Sequence, residues 1–111
     1  MDREYKIKVT DYALEQLREI QEYITVSLQA PETAAKWREN MKKELESLSH
    51  FPNRVMLTEE EPWHSEGIHR LVVGKHLVYF WIDDSDFTVW ITAVVYGSRD
   101  QRQQLMEMPL S

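Results

Sequence analysis

The chain has 111 residues, 42% of them hydrophobic and 29% charged, with a formal charge of −6. That length suits one domain with one core, since domains typically hold roughly 100–150 residues; the balance excludes disorder, and the acidity argues against affinity won by neutralising phosphates. There is no cysteine, which excludes a disulfide scaffold and a thiol nucleophile.

The N-terminus, MDREYKIKVT, is charged and lacks an apolar h-region, so no signal peptide is expected. No apolar run approaches the roughly 20 residues of a membrane span, and a cytoplasmic location with no membrane partner is the expectation. EYKIKV (4–9) alternates Tyr5, Ile7 and Val9 with Lys6 and Lys8, the pattern of a half-buried strand. Thr10 and Asp11 supply helix N-cap chemistry. Ala13, Leu14, Leu17, Ile20, Ile24 and Leu28 then recur at helical spacing. Pro31 suits the first turn of a second helix, whose apolar stripe is Ala34, Trp37, Met41, Leu45 and Leu48 and which stops before Pro52. The connection near Gln29–Ala30 is short, so the two helices are expected to form an antiparallel hairpin. An irregular loop follows from Pro52 to Gly67.

The period then changes. IHRLVV (68–73), HLVYFWI (76–82) and FTVWITAVVY (87–96) read as strands, rich in β-branched and aromatic residues. Gly74-Lys75 suits a two-residue type II′ turn, and DDSD (83–86) is a second turn. SRDQRQQLME, after Gly97, reads as a loose helical tail. The expected class is α+β: an antiparallel sheet with an N-terminal helical hairpin packed on one face.

A two-residue turn fixes register, pairing Val73 with His76, Leu71 with Val78, Arg70 with Tyr79 and His69 with Phe80. One face then carries His69, Leu71, Val73, His76, Val78, Phe80 and Ile82, and it is the better core face. The other carries Ile68, Arg70, Val72, Leu77, Tyr79 and Trp81, and is expected to stay open. Two readings of it compete. In one, Arg70 lies on Tyr79 and Trp81 as a cation–π surface pair, worth about 1 kcal/mol. In the other the face is a recognition surface, because Arg and aromatics dominate interface hot spots.

Other chemistry is weakly signalled. His50, His64, His69 and His76 lack metal-ligand spacing and read as structural, so no metal is expected. Glu59, Glu60 and Glu61 point in different directions and suit a solvated loop. The three glycines form no phosphate-binding fingerprint. Of the tryptophans at 37, 63, 81 and 90, Trp63, beside Pro62 in a loop, is the one expected to meet a partner.

The order β-α-α-β-β-β, carried by YKIKVTDYALEQLREIQEYI, LESLSHFPN, GIHRLVVGKHLVYFWID and VVYGSRD, resembles the RelE/ParE superfamily, the toxins of bacterial type II toxin–antitoxin systems. The resemblance spans nearly the whole chain. It implies one toxin domain over 1–111, a protein that arrests growth or serves plasmid stabilisation, a cognate antitoxin wrapped around it, and no cofactor. The RelE branch resembles a ribosome-dependent mRNA endoribonuclease. Arg70 stands at one of that branch's lysine positions and Arg99 matches an arginine. Ile68 occupies the other lysine position, Leu77 the place of the strand-borne catalytic Arg, and Leu105 falls near the C-terminal Tyr. Neither Ile68 nor Leu77 can activate a 2′-hydroxyl or stabilise a phosphate. The pattern looks more like the ParE branch, whose members act by binding, several of them to DNA gyrase.

Enzymatic activity is therefore not expected. The expected contact residues for target or antitoxin are Arg70, Tyr79, Trp81, Arg99 and Trp63. The rival reading, a ribonuclease acting on ribosome-bound mRNA, would use a rearranged site of Arg70, Arg99, His76 and Tyr96; a third is a non-toxic binding module of the same fold. The antitoxin is expected on the helical hairpin and at a sheet edge formed by the first strand or the β-hairpin. From the net charge, its affinity is expected to rest on apolar anchors, with a shallow salt dependence. The oligomeric state is not legible.

Overall fold

The computed structural model describes residues 4–97 and 101–110, with only the backbone of Gln101. In chain order the elements are β1 (Lys6–Val9), α1 (Asp11–Glu22) continuing as a π-helical turn (Tyr23–Ser27), α2 (Pro31–Glu46), β2 (His69–Val73), β3 (His76–Asp83), β4 (Thr88–Tyr96) and α3 (Gln101–Glu107). Thr10 caps α1, its hydroxyl accepting from the Ala13 amide at 3.2 Å. Pro31 opens α2 where no amide partner is needed.

The sheet order is β1-β4-β3-β2. The β2–β3 register is the one the Gly74-Lys75 turn requires, from Val73 opposite His76 to His69 opposite Phe80. Gly74 sits at φ +60°, where a side chain would be strained. β3 and β4 are antiparallel, but β1 runs parallel to β4, so the sheet is mixed rather than wholly antiparallel. A parallel neighbour needs a long crossover, and everything from α1 to β3 serves as one.

Two apolar clusters flank the sheet. Ala13, Met41, Leu45 and Leu48 of the helical layer pack on Val73, Val78, Phe80, Val89, Ile91 and Val94. On the other face Ile68, Leu77, Tyr79, Ala93 and Val95 are covered by Trp63, Leu105 and Met108. The expectation of an open second face is thus corrected, and so is that of a loose tail. Tyr79 is 0% exposed, Trp63 9% and Leu105 1%. The reason is tertiary: the loop before β2 and the helix after β4 each return an apolar side chain to the sheet.

A β-bulge gives the second cluster its shape. Tyr79 faces Ala93 and Phe80 faces Ile91, which leaves Thr92 without a cross-strand partner. Val89 and Ile91 therefore point to the helical layer, and so does Val94, while Ala93 and Val95 point away. The buried Thr92 hydroxyl donates to the Tyr79 carbonyl at 3.1 Å and lies 2.9 Å from the Met108 sulfur.

Candidate functional site

Arg70, Tyr79, Trp81 and Trp63 do lie on one face, beneath or beside the C-terminal segment. Trp81 is half-buried, and its indole donates to the Leu110 carbonyl at 2.9 Å. The Arg102 guanidinium lies 5.6 Å above the Trp63 ring. The loop holding Trp63 is tightly bonded: Glu61 takes the Ser65 amide and hydroxyl at 2.9 and 2.8 Å, and the Trp63 carbonyl accepts from the Ile68 amide. TEEEPWHSE is a folded turn whose side chains stay largely exposed, as expected, apart from Thr58 and Trp63. Trp63 meets the chain's own sheet rather than solvent.

A polar cluster sits at the β2 end of this face. The Thr58 hydroxyl donates to Glu60 at 2.6 Å. That bond, aided by the positive charge of Arg70, holds the Glu60 carboxyl below its ordinary pKa. Burial pushes the Tyr79 phenol up, and Arg70 opposes that push. The Tyr79 hydroxyl oxygen is buried beside Arg70.

The proposed ribonuclease set does not converge. His76 belongs to the opposite face, where the Trp37 indole donates to its Nδ1 at 3.4 Å and Tyr96 meets it edge-on at 5.7 Å. Arg70 projects the other way from the same hairpin. Arg99 lies outside the described residues. Ile68 and Leu77 are 0% and 7% exposed, wholly given to the second core. His69 is a structural histidine, bonded through Nδ1 to the Val55 carbonyl at 2.7 Å and stacked on Phe80 at 4.9 Å. Among the described residues no three His, Asp or Glu side chains gather as metal ligands, and no helix is long and apolar enough to cross a membrane.

The helical hairpin, expected from the sequence to take the antitoxin, carries a groove between α1 and α2. It holds about 440 Å³ and is floored by Ile7, Leu14, Leu17, Trp37, Met41 and Leu45. Its rim carries Arg18, Arg38 and Lys42 against the single carboxylate of Glu46. The signal was present in Leu14, an apolar position 39% exposed on a helix whose other apolar positions turn inward. Ile7 joins the groove to the sheet edge. The Lys6 and Thr10 amides bond to the Phe87 and Ile91 carbonyls, so those of Ile7 and Val9 turn away from β4. The far edge is blunted: residues 56–58 pair along β2, with the Thr58 amide on the Ile68 carbonyl and the Arg70 amide on the Met56 carbonyl.

The profile of the family described as ParE toxin of type II toxin-antitoxin system, parDE, matches residues 7–101. The chain belongs to the ParE toxin family. Among solved structures the fold is similar to a chain of the chromosomal ParDE TA system from P. aeruginosa, with TM-score 0.67 and 20% identity over 83% of this chain and 95% of that one. It is similar to a chain of the toxin–antitoxin complex RelBE2 from Mycobacterium tuberculosis, with TM-score 0.60 and 22% identity over 85% and 92%. A mutant of E. coli toxin RelE in the free state gives TM-score 0.63 and 14% identity over 91% and 92%. Among curated proteins no sequence gives a significant match. The toxin thus shares the architecture of both branches of the RelE/ParE superfamily.

Proposed function

We propose that this toxin arrests growth by binding a cellular protein, with DNA gyrase the first target to test, and that a cognate antitoxin neutralises it by docking in the α1/α2 groove. The observation that carries the binding reading is the separation of Arg70 from the His76–Tyr96 pair on opposite sheet faces. One scissile phosphate cannot meet both. The groove supports the antitoxin half: it is apolar, partly filled by Leu14, and continuous through Ile7 with the outer edge of β1. A helix laid in the groove and a strand added to β1 engage both features at once. The blunted β2 makes the β-hairpin edge the poorer candidate.

Leu14→Glu tests this. An exposed substitution costs about 0.5 kcal/mol or less, but it places a charge in the apolar floor. Co-purification with the product of the adjacent open reading frame should fall at least tenfold, with unfolding unchanged. Undiminished co-purification would remove the groove from the account. In parallel, supercoiling by purified gyrase should be inhibited by the free toxin, while specific cuts in ribosome-bound mRNA would favour the ribonuclease instead.

A further inference from the structure

The tip of the helical hairpin is apolar, where a connecting turn is normally polar. Tyr23, Val26 and Leu28 are 57%, 64% and 55% exposed. Single exposed apolar side chains are ordinary, but a cluster of large ones marks a contact surface. The backbone aims one of them. At the end of α1 the Leu28 amide bonds to the Tyr23 carbonyl, five residues back, at 3.1 Å. Such a turn takes more residues than an α-helical one. Continued as an α-helix, Val26 would stand about 120° around the axis from Leu14. The wider turn swings it back toward the stripe of Leu14, Arg18 and Gln21, which lines the α1/α2 groove.

Charge divides the hairpin the same way. Residues 19–35 hold Glu19, Glu22 and Glu32, all exposed, and no Lys, Arg or His. The groove is lined by Arg38 and Lys42 as well as Arg18, which also pairs with Glu15 at 3.7 Å, and by the single carboxylate of Glu46. One hairpin therefore carries an apolar tip with acidic flanks and an apolar groove with a cationic rim. About ten residues of α1 separate the two, roughly 15 Å along the axis. A tip cannot fold back into the groove of its own hairpin. A second copy running antiparallel, about a twofold axis beside Gln21, sets each tip in the other's groove. The two contacts are then equivalent, and the assembly closes at two copies.

We propose that the free chain pairs with a second copy of itself in this way: Val26 and Leu28 of each protomer enter the other's α1/α2 groove, with Glu22 and Glu32 facing Arg38 and Lys42. Charge complementarity selects this occupant, because the groove suits an apolar segment with acidic flanks and the tip is one that every copy carries. Pairing hides the groove, so a segment docking there must compete with it. That competition rests on the antitoxin reading; the pairing itself does not.

Analytical ultracentrifugation of the full chain, from about 1 μM to about 1 mM, reads the pairing. It should show a monomer–dimer equilibrium that stops at the dimer. Val26→Glu alters an exposed side chain, so unfolding should not change, while pairing should weaken by at least tenfold. A chain with Arg38→Glu and Lys42→Glu should pair poorly with itself, and so should one with Glu22→Lys and Glu32→Lys. Mixed, these two chains should pair with each other, because each acidic tip then meets a cationic groove and each cationic tip an acidic one. A wild-type chain monomeric throughout, growth beyond the dimer, pairing indifferent to Val26→Glu, or no pairing in the mixture would each overturn the proposal. The adjacent gene product should bind Val26→Glu more tightly than wild type wherever wild type is paired. Equal affinity for both would overturn the competition, and with it the groove as the antitoxin's site, while the sedimentation result would stand.

Discussion

His76 shows how one side chain links packing to pH. It is half-buried between Trp37 and Tyr96, and burial holds its imidazole below the ordinary pKa of about 6.5. The folded chain therefore binds a proton less readily than the unfolded chain. Stability is full above about pH 6.5 and falls as the pH drops through that value toward the lower folded pKa, because the unfolded state takes up the proton first. Protonation also removes the acceptor for the Trp37 indole. Denaturant midpoints measured between pH 7.5 and 5 should decline for wild type, and His76→Gln, which keeps an acceptor, should flatten the decline. A slope unchanged in the variant would assign the titration elsewhere.

At the scale of elements, α1 depends on its N-cap residue. Thr10 is buried, and its backbone amide bonds to the Ile91 carbonyl while its side chain caps the helix, so it ties β1, α1 and β4 together. Thr10→Ala should cost about 1 kcal/mol, as lost N-caps do. Thr10→Ser should restore most of it. Equal losses in both variants, measured by urea unfolding, would show that the Thr methyl rather than the cap matters. The far end of α1 obeys no such simple rule. The helix widens into a π-turn at Tyr23–Ser27, which leaves Tyr23, Val26 and Leu28 more than half exposed at the hairpin tip.

For the whole molecule, net charge does not describe the lining of the α1/α2 groove. The chain carries −6, yet Arg18, Arg38 and Lys42 line the α1/α2 groove with one carboxylate, Glu46, although Arg18 also pairs with Glu15 at 3.7 Å, and Lys6 and Lys8 are exposed beside it on β1. An antitoxin segment with acidic flanks around an apolar stripe fits this rim. The rim argues for a steeper salt dependence than the net charge does. Affinity for the adjacent gene product should weaken by about tenfold between low and high salt, since several exposed pairs worth up to about 1 kcal/mol each are screened together. A chain carrying Arg38→Ala and Lys42→Ala should lose most of that dependence. Titration calorimetry decides it, and an affinity indifferent to salt in the wild-type chain would return the weight to apolar anchors alone.

What the sequence determined by itself was everything that local periodicity and turn chemistry control. Thr10 and Pro31 marked the helix starts, the alternation in 68–82 marked the strands, and Gly74-Lys75 set a register that holds pair for pair. Those rules act over a few residues and leave their mark in composition. Only the tertiary structure decided which face is covered. Trp63 and Leu105 lie 14 and 28 residues from Leu77 along the chain, yet they share its cluster. No period connects such positions; the packing of a loop and a short helix onto the sheet does. The parallel pairing of β1 with β4 and the bulge at Thr92 are likewise long-range outcomes. So Arg70, Tyr79 and Trp81 were legible as one face, but their burial was not, because the same alternating pattern serves a sheet open to water and a sheet closed by its own C-terminal segment.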